Sequence, residues 1–161
     1  MPKQVLQVTA QEYQDAGSKF IAMTPDEKTN GAYRNVEIVG YDWDKPGSSI
    51  KVEVQVTEES QDNGKKDKLS FGVEASSSGR KSGIFKGRAI YLAVLGREMV
   101  MEKGHPVVNM PEDLLGKKAV AFWKMRSGPK GGDPNAEMVE YPKIIEILAA
   151  GTKPTTKVEG L

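Results

Sequence analysis

The sequence SIKVEVQVTEE (residues 49–59) decides the fold class. Its apolar residues occupy every second position, with charged or polar residues between them. This period of two places alternate side chains on opposite faces of a β-strand, one toward the core and one toward water. Antiparallel sheets commonly keep one face solvated. We therefore predict a half-buried antiparallel strand whose inner face consists of Ile50, Val52, Val54 and Val56.

The segments on both sides of this strand continue the sheet. YRNVEIVGYDW (33–43) precedes it across the tight-turn sequence DKPGSS, and LSFGVEA (69–75) follows it across a polar loop with an Asn-Gly pair. Gly, Pro and Asn at these places favour turns. Together the three segments predict a three-stranded meander.

The second half of the chain adds a helix and two strands. Residues 84–101 have helical spacing of apolar residues, whereas KAVAFWKMR (118–126) and MVEYPKIIEIL (138–148) have the character of strands. Three strands, a helix and two strands is the chain order of the oligonucleotide/oligosaccharide-binding (OB) fold. We predict a mainly β protein: a five-stranded OB-like Greek-key barrel with one helix between strands 3 and 4. An α+β sandwich with the helix on one face is the alternative.

The length of 161 residues suits one domain. We divide it into an N-terminal arm (1–30), the barrel domain (31–149) and a flexible tail (150–161). Within the arm, TAQEYQDAG (9–17) predicts a short helix with Thr9 as its N-cap.

Composition excludes several functional classes. The chain has no cysteine, which removes disulfides, thiol nucleophiles and thiolate metal sites, and His105 is its one histidine. His105 lies between Gly104 and Pro106, a context typical of an exposed turn. No apolar run is long enough to span a membrane or to form a signal peptide. We expect a soluble cytoplasmic protein, with no enzymatic activity, cofactor or metal.

The stretch SSSGRKSGIFKGRAIYLAVLG (76–96) raises the question of a phosphate-binding loop. It contains neither the Walker pattern nor G-x-G-x-x-G. Ser82 is placed to cap the first turn of a helix, so we interpret the stretch as a helix start.

Positive charge is concentrated although the formal net charge is only +1. Residues 65–88 hold seven Lys and Arg against two acids, and residues 117–130 hold five against none. Such clustering predicts a directional cationic face for a polyanion. Ordinary solvated surfaces would give the same pattern, and the sequence leaves both interpretations open.

Aromatic residues near these clusters suggest nucleic acid. Proteins that bind single strands combine a basic groove with rings on which bases stack, each contributing about 1–3 kcal/mol. Phe122 and Trp123 must point to opposite faces of their strand, so we expect one of them to serve the core and the other to stack. Tyr33, Tyr41 and Tyr141 are additional platforms. The predicted binding residues are Trp43, Lys45, Lys51, Lys65, Lys66, Arg80, Lys81, Trp123, Lys124, Arg126 and Lys130.

Four segments carry a family resemblance: NGAYRNVEIVGYDWDKPGSSIKVEVQV, GRKSGIFKGRAIYLAVLG, DLLGKKAVAFWKMR and YPKIIEIL. Over residues 30–148 the chain resembles phage-type single-stranded-DNA-binding proteins, encoded near recombinases and replication functions. The resemblance implies an OB barrel that coats single-stranded DNA in replication or recombination, in the host cytoplasm, with proteins of those processes as partners. The tail, with Lys153 and Lys157 against Glu159, departs from the acidic tip by which bacterial single-strand-binding proteins recruit partners.

Other hypotheses remain open. A non-catalytic protein-interaction or assembly β-barrel would also use exposed rings, because one fold hosts many functions. A magnesium-dependent nuclease would use acids such as Asp42 and Asp44, which flank Trp43. The sequence does not decide between DNA and RNA, between a monomer and a homo-oligomer, or whether the arm docks on its own barrel or on a neighbouring copy.

Overall fold

A computed structural model describes residues 4–10, 20–73, 81–130 and 133–152, for residues 81–83 the backbone only. These residues form two helices and seven strands in the described chain. They are α1 (Pro25–Asn30), β1 (Ala32–Lys45), β2 (Ser49–Val56), β3 (Lys66–Gly72), α2 (Lys81–Leu95), β4 (Val100–Glu102), β5 (His105–Val107), β6 (Lys118–Pro129) and β7 (Met138–Ala149).

The main sheet has five antiparallel strands in the order β3-β2-β1-β6-β7, and β4 and β5 form a separate hairpin. After the β1-β2-β3 meander the chain returns to place β6 beside β1, which is Greek-key connectivity. A mainly β protein with a five-stranded sheet is thus confirmed. The predicted barrel does not form, because within the described residues no backbone ladder joins the edge strands β3 and β7, and the sheet stays open.

Strand β2 follows its predicted alternation. All four of its predicted inner residues are buried, and the residues between them are half-buried. The turn before β2 is explained by its sequence: Ser48 N–H donates to Lys45 C=O at 2.9 Å, and Gly47 has a φ of +75°. Pro at the second position and Gly at the third are the residues of a type II turn.

The placement of the helices differs from the prediction. Helix α1 lies in the part of the N-terminal arm for which no helix was predicted, and it begins with Thr24 and Glu27 in a reciprocal capping box and Pro25 in its first turn. Helix α2 ends at Leu95, six residues before the predicted end, and Val100 and Met101 belong to strand β4 instead. The exposed His105 lies in β5, after the turn at Lys103 and Gly104. The helix predicted over residues 9–17 falls almost entirely outside the described residues.

Helix α2 packs on the sheet through a glycine. A Cβ added at Gly87 would lie 2.5 Å from Cε2 of the buried Phe71 in β3, so the close approach of helix and strand requires glycine. No helix in the described ranges is long and apolar enough to cross a membrane.

Candidate nucleic-acid interface

The two edges of the sheet face each other across an open cleft of about 260 Å³, here called the seam. Strand β3 supplies one wall and β7 the other. The residues that line the seam are Phe20, Lys66, Asp67, Lys68, Tyr141, Pro142 and Lys143.

Strand alternation places the cations of the seam on the outer face of the sheet. Leu69 and Phe71 of β3 point into the core, so Lys66 and Lys68 point outward, and both are exposed. On the other wall, Lys143 is exposed and Tyr141 is partly exposed. The chain therefore presents lysines from both edges of the sheet to one cleft.

Strand β6 extends this surface away from the seam. Lys124 lies directly opposite Lys143 in the β6–β7 register, and Arg126 lies opposite Tyr141. Lys124 and Arg126 are both exposed. We call this surface the seam patch: Lys66, Lys68, Lys124, Arg126, Tyr141 and Lys143.

The pair Lys124 and Lys143 is electrostatically unfavourable by itself. Residues opposite each other on adjacent antiparallel strands have Cβ atoms about 5 Å apart, and like charges there destabilise a sheet. Within the described residues none of the five cations of the seam patch makes an ion pair. Glu53 is the cross-strand neighbour of Lys68. The arrangement favours an anionic ligand, which would offset the repulsion.

Trp123 is not available for stacking. The residue is 2% exposed, and its indole Nε1 donates to Oδ2 of Asp67 at 2.9 Å. Its strand neighbour Phe122 is also buried, because the ring packs against Tyr33, with centroids 4.5 Å apart, and against the backbone of Gly31. The expectation that one of the two adjacent rings would be free is therefore wrong: the segment around α1 covers the outer face here.

Lys65 is likewise not available for phosphate. It is buried, and its Nζ donates to the carbonyl of Phe20 at 2.8 Å and to Oδ1 of Asp62 at 3.0 Å. Asp62 is 2% exposed and also accepts from the backbone N–H of Ala22 and from Nε of Arg34. Lys65 thus belongs to a buried ionic network that holds residues 20–22 against the sheet.

Arg34 and Glu27 complete this network. The guanidinium of Arg34 bonds both carboxylate oxygens of Glu27 and the carbonyl of Ala22. Burial alone would lower the pKa of Arg34, but hydrogen bonds to Glu27 and Asp62 raise it above its usual value. Burial alone would raise the pKa of Glu27, but hydrogen bonds from Arg34 and the Thr24 backbone hold it below its usual value. Both groups therefore stay charged at neutral pH.

The remaining predicted site residues do not line the seam. Trp43, 38% exposed, lies opposite Ile50 near the β1–β2 turn, which also holds Lys45. Lys51 lies on the outer face of β2, opposite Asp42. Lys130 is exposed at the end of β6. Arg80 and the side chain of Lys81 fall outside the described residues. Of the predicted residues, the structure brings Lys66, Lys124 and Arg126 together.

Three residues of this surface were missing from the predicted set or given less weight. Lys143 gains its significance from standing opposite Lys124, a pairing set by the β6–β7 register, which runs without a shift from Pro129 and Met138 to Trp123 and Ile144. Tyr141 was only an additional platform, and Lys68 was only one of the seven cations counted over residues 65–88. No signal in the sequence points to Phe20, because its position depends on the buried network.

A second polar network lies under helix α2. The hydroxyls of Tyr41 and Tyr91 are 2.7 Å apart, and Tyr91 donates to Oδ2 of Asp113 at 2.7 Å. Burial raises the pKa of Tyr41 to about 12 and raises that of Tyr91 further. Burial alone would raise the pKa of Asp113, but hydrogen bonds from Asn109 and Tyr91 lower it. This network joins the helix, the sheet and the loop before β6.

Among the described residues, no three acidic or histidine side chains are grouped to hold a metal ion. Asp42 accepts a hydrogen bond from the Trp43 backbone, and Asp44 accepts one from the Ser70 hydroxyl. No protein-family model and no curated protein matches this sequence.

Proposed function

We propose that this protein binds single-stranded nucleic acid at the seam patch, without catalysis, in phage-type replication or recombination. The observation that carries the proposal is the opposed pair Lys124 and Lys143, beside Tyr141 and across the seam from Lys66 and Lys68. Cations from three strands with an accessible ring among them are the elements of a single-strand site.

Each part of the patch has a role in this proposal. The lysines and Arg126 neutralise phosphates and release condensed counterions, which supplies most of the affinity. Tyr141 offers a face to one base. A Cβ at Gly128 would lie 3.0 Å from Cε1 of Tyr141, so the glycine leaves room for the ring.

Support also comes from the connectivity of the sheet and from the resemblance to phage-type single-stranded-DNA-binding proteins. A Greek-key sheet whose edges approach without pairing is related to the OB barrel in its strand order, and OB barrels bind oligonucleotides on their strands and loops. The proposal covers DNA and RNA, since stacking and phosphate contacts are shared by both.

The test is fluorescence anisotropy with a labelled oligothymidine, a duplex of equal length and an oligouridine, all at low salt. We expect saturable binding that is tighter for single strands than for duplex, because a base reaches Tyr141 only when it is unstacked. The absence of binding at low salt, or equal affinity for duplex, would overturn the proposal.

A second function, in protein assembly, is favoured by the exposed apolar face of helix α2. Phe85 is 61% exposed and Leu92 is 43% exposed, and the two lie seven residues apart on one side of the helix. Exposed apolar patches mark interaction sites. Light scattering across a range of protein concentrations tests this function, and a Phe85→Ser variant should dissociate any assembly that depends on this face.

A further inference from the structure

We infer that Phe20 forms a second base-stacking surface in the seam, and that Asp62 and Lys65 are positioning residues that hold it there. This inference rests on the proposed function and goes beyond it, because it assigns residues 20–22 to the ligand site. The ligand class is an unpaired nucleobase, bound against an aromatic shelf made by Phe20 and Tyr141.

The first support is the geometry of the two rings. The centroids of Phe20 and Tyr141 are 6.1 Å apart with planes inclined by 35°, and both rings line the seam with the lysines. Phe20 is 38% exposed, whereas its neighbour Ile21 is 6% exposed and packs in the core. The chain therefore buries one apolar side chain and leaves the next, aromatic one at the surface beside another ring.

The second support is the way the backbone of this segment is held. Lys65 Nζ donates to the Phe20 carbonyl at 2.8 Å, Ala22 N–H donates to Asp62 Oδ1 at 2.8 Å, and Arg34 donates to the Ala22 carbonyl at 2.8 Å. Charged side chains thus form hydrogen bonds with the backbone of both neighbours of Ile21. Hydrogen bonds to charged groups are about twice as strong as neutral ones, and these three fix where Phe20 leaves the core.

The third support is the cost of such an anchor. Buried ion pairs are weak contributors to stability, since apolar residues of equal volume often serve as well. An apolar contact would cover the end of the sheet without fixing the Phe20 backbone by directed bonds. The network is better explained by the need to present the ring at a defined place.

The test compares shape with apolarity at position 20. Phe20→Leu keeps an apolar side chain but removes the flat ring, and Phe20→Tyr keeps the ring. We expect Phe20→Leu to weaken oligothymidine binding by about 5- to 150-fold, the range for one lost stacking contact, with an unchanged salt slope because no phosphate contact is lost. Phe20→Tyr should bind within about twofold of the wild type.

A double-mutant cycle tests the positioning role. Lys65→Met should weaken binding in the wild-type background and have no further effect in the Phe20→Leu background, because the residue acts through the ring. Circular dichroism verifies that each variant is folded, and the Phe20→Leu comparison decides the inference if Lys65→Met does not fold. Wild-type binding combined with undiminished binding by Phe20→Leu would overturn this inference alone. No binding by the wild type would overturn the proposed function with it.

Discussion

The indole Nε1 of Trp123 donates a 2.9 Å hydrogen bond to Oδ2 of Asp67, joining two strands that are not neighbours in the sheet. Trp123 lies in β6 and Asp67 in β3, with β2 and β1 between them. The sheet must therefore curl until its inner faces meet. The same carboxylate oxygen accepts from Ile144 N–H of β7 at 3.4 Å. This contact brings the two edges together and creates the seam.

Asp67 should have opposite effects on stability and on binding. Asp67→Asn keeps an acceptor for the indole but removes the one negative charge among the described residues that line the seam. We expect oligothymidine affinity to rise a few-fold, by weaker repulsion of phosphates. Asp67→Ala should instead destabilise the fold by about 1–3 kcal/mol, since the Trp123 indole loses its partner. Urea denaturation and anisotropy measure the two effects, and reduced affinity in Asp67→Asn would contradict the electrostatic account.

Trp43 should be dispensable for binding at the seam. Through Ile50 of β2, Trp43 is level with Phe71 of β3, two strands away. Phe71 is three residues from Lys68 in β3, which is roughly 10 Å along the strand direction. We expect Trp43→Phe to change oligothymidine affinity by less than about twofold, as measured by anisotropy with a labelled oligonucleotide. A large loss would place the binding surface at the β1–β2 turn instead.

The Tyr41–Tyr91 pair should make the fold sensitive to alkaline pH. The ordinary pKa of tyrosine is about 10, and in the folded protein that of Tyr41 is raised to about 12. Between these values the unfolded chain loses the proton and the folded one keeps it, so stability present below pH 10 is lost as pH rises toward 12. Each group contributes a slope of about 1.4 kcal/mol per pH unit.

Tyr91→Phe tests that network. At neutral pH it should cost about 1–3 kcal/mol, because the buried Tyr41 hydroxyl and Asp113 lose a partner. Its decline in stability above pH 10 should be shallower than that of the wild type in urea denaturation. The control is Tyr33→Phe, which removes a hydroxyl outside this network. An equally steep decline in Tyr91→Phe would show that the pair does not govern the alkaline transition.

Gly87 should be required for the packing of helix α2. Alanine there gains about 1 kcal/mol of helix propensity, but its Cβ would overlap the buried ring of Phe71. We expect a net loss of about 1 kcal/mol or more in the free energy of unfolding. In a Phe71→Leu background, where the ring is absent, the same substitution should cost less. If Gly87→Ala and Phe71→Leu have additive effects on the free energy of unfolding, the Phe71 ring does not oppose a Cβ at position 87.

The sequence predicts a strand well where the alternation of neighbouring residues defines it. It predicts burial less well where contacts between distant segments determine which side chains are covered. The alternation of β2 is enough to predict which of its side chains are buried, because it assigns each residue to one face of the sheet. The residues from Thr24 to Glu27, which form a capping box, are a sequence signal for helix α1, although the prediction placed a helix only over residues 9–17. Of Phe122 and Trp123, one was expected to lie in the core and the other to be free for stacking. This was wrong because the chain before β1 folds over the outer face of the sheet and buries Phe122 as well.

The seam patch itself was only partly predictable. Clusters of lysine are visible in the sequence, and Lys66, Lys124 and Arg126 were predicted from them. Which lysine stands opposite Lys124 depends on the register of the β6–β7 pair, and which edges meet depends on the curl of the sheet. The curl depends on contacts between residues far apart in the chain, such as that of Trp123 with Asp67.

The most direct test of the central claim is the salt dependence of oligothymidine binding in a Lys124→Gln/Lys143→Gln variant. Each neutralised phosphate contributes a slope of about −0.7 in log affinity against log salt. The variant should lose about 1.4 from the magnitude of the wild-type slope, whereas Lys103→Gln/Lys117→Gln, exposed lysines outside the seam patch, should keep it. An unchanged slope in the first variant, or an equal change in both, would contradict the proposal that this patch binds the nucleic-acid backbone.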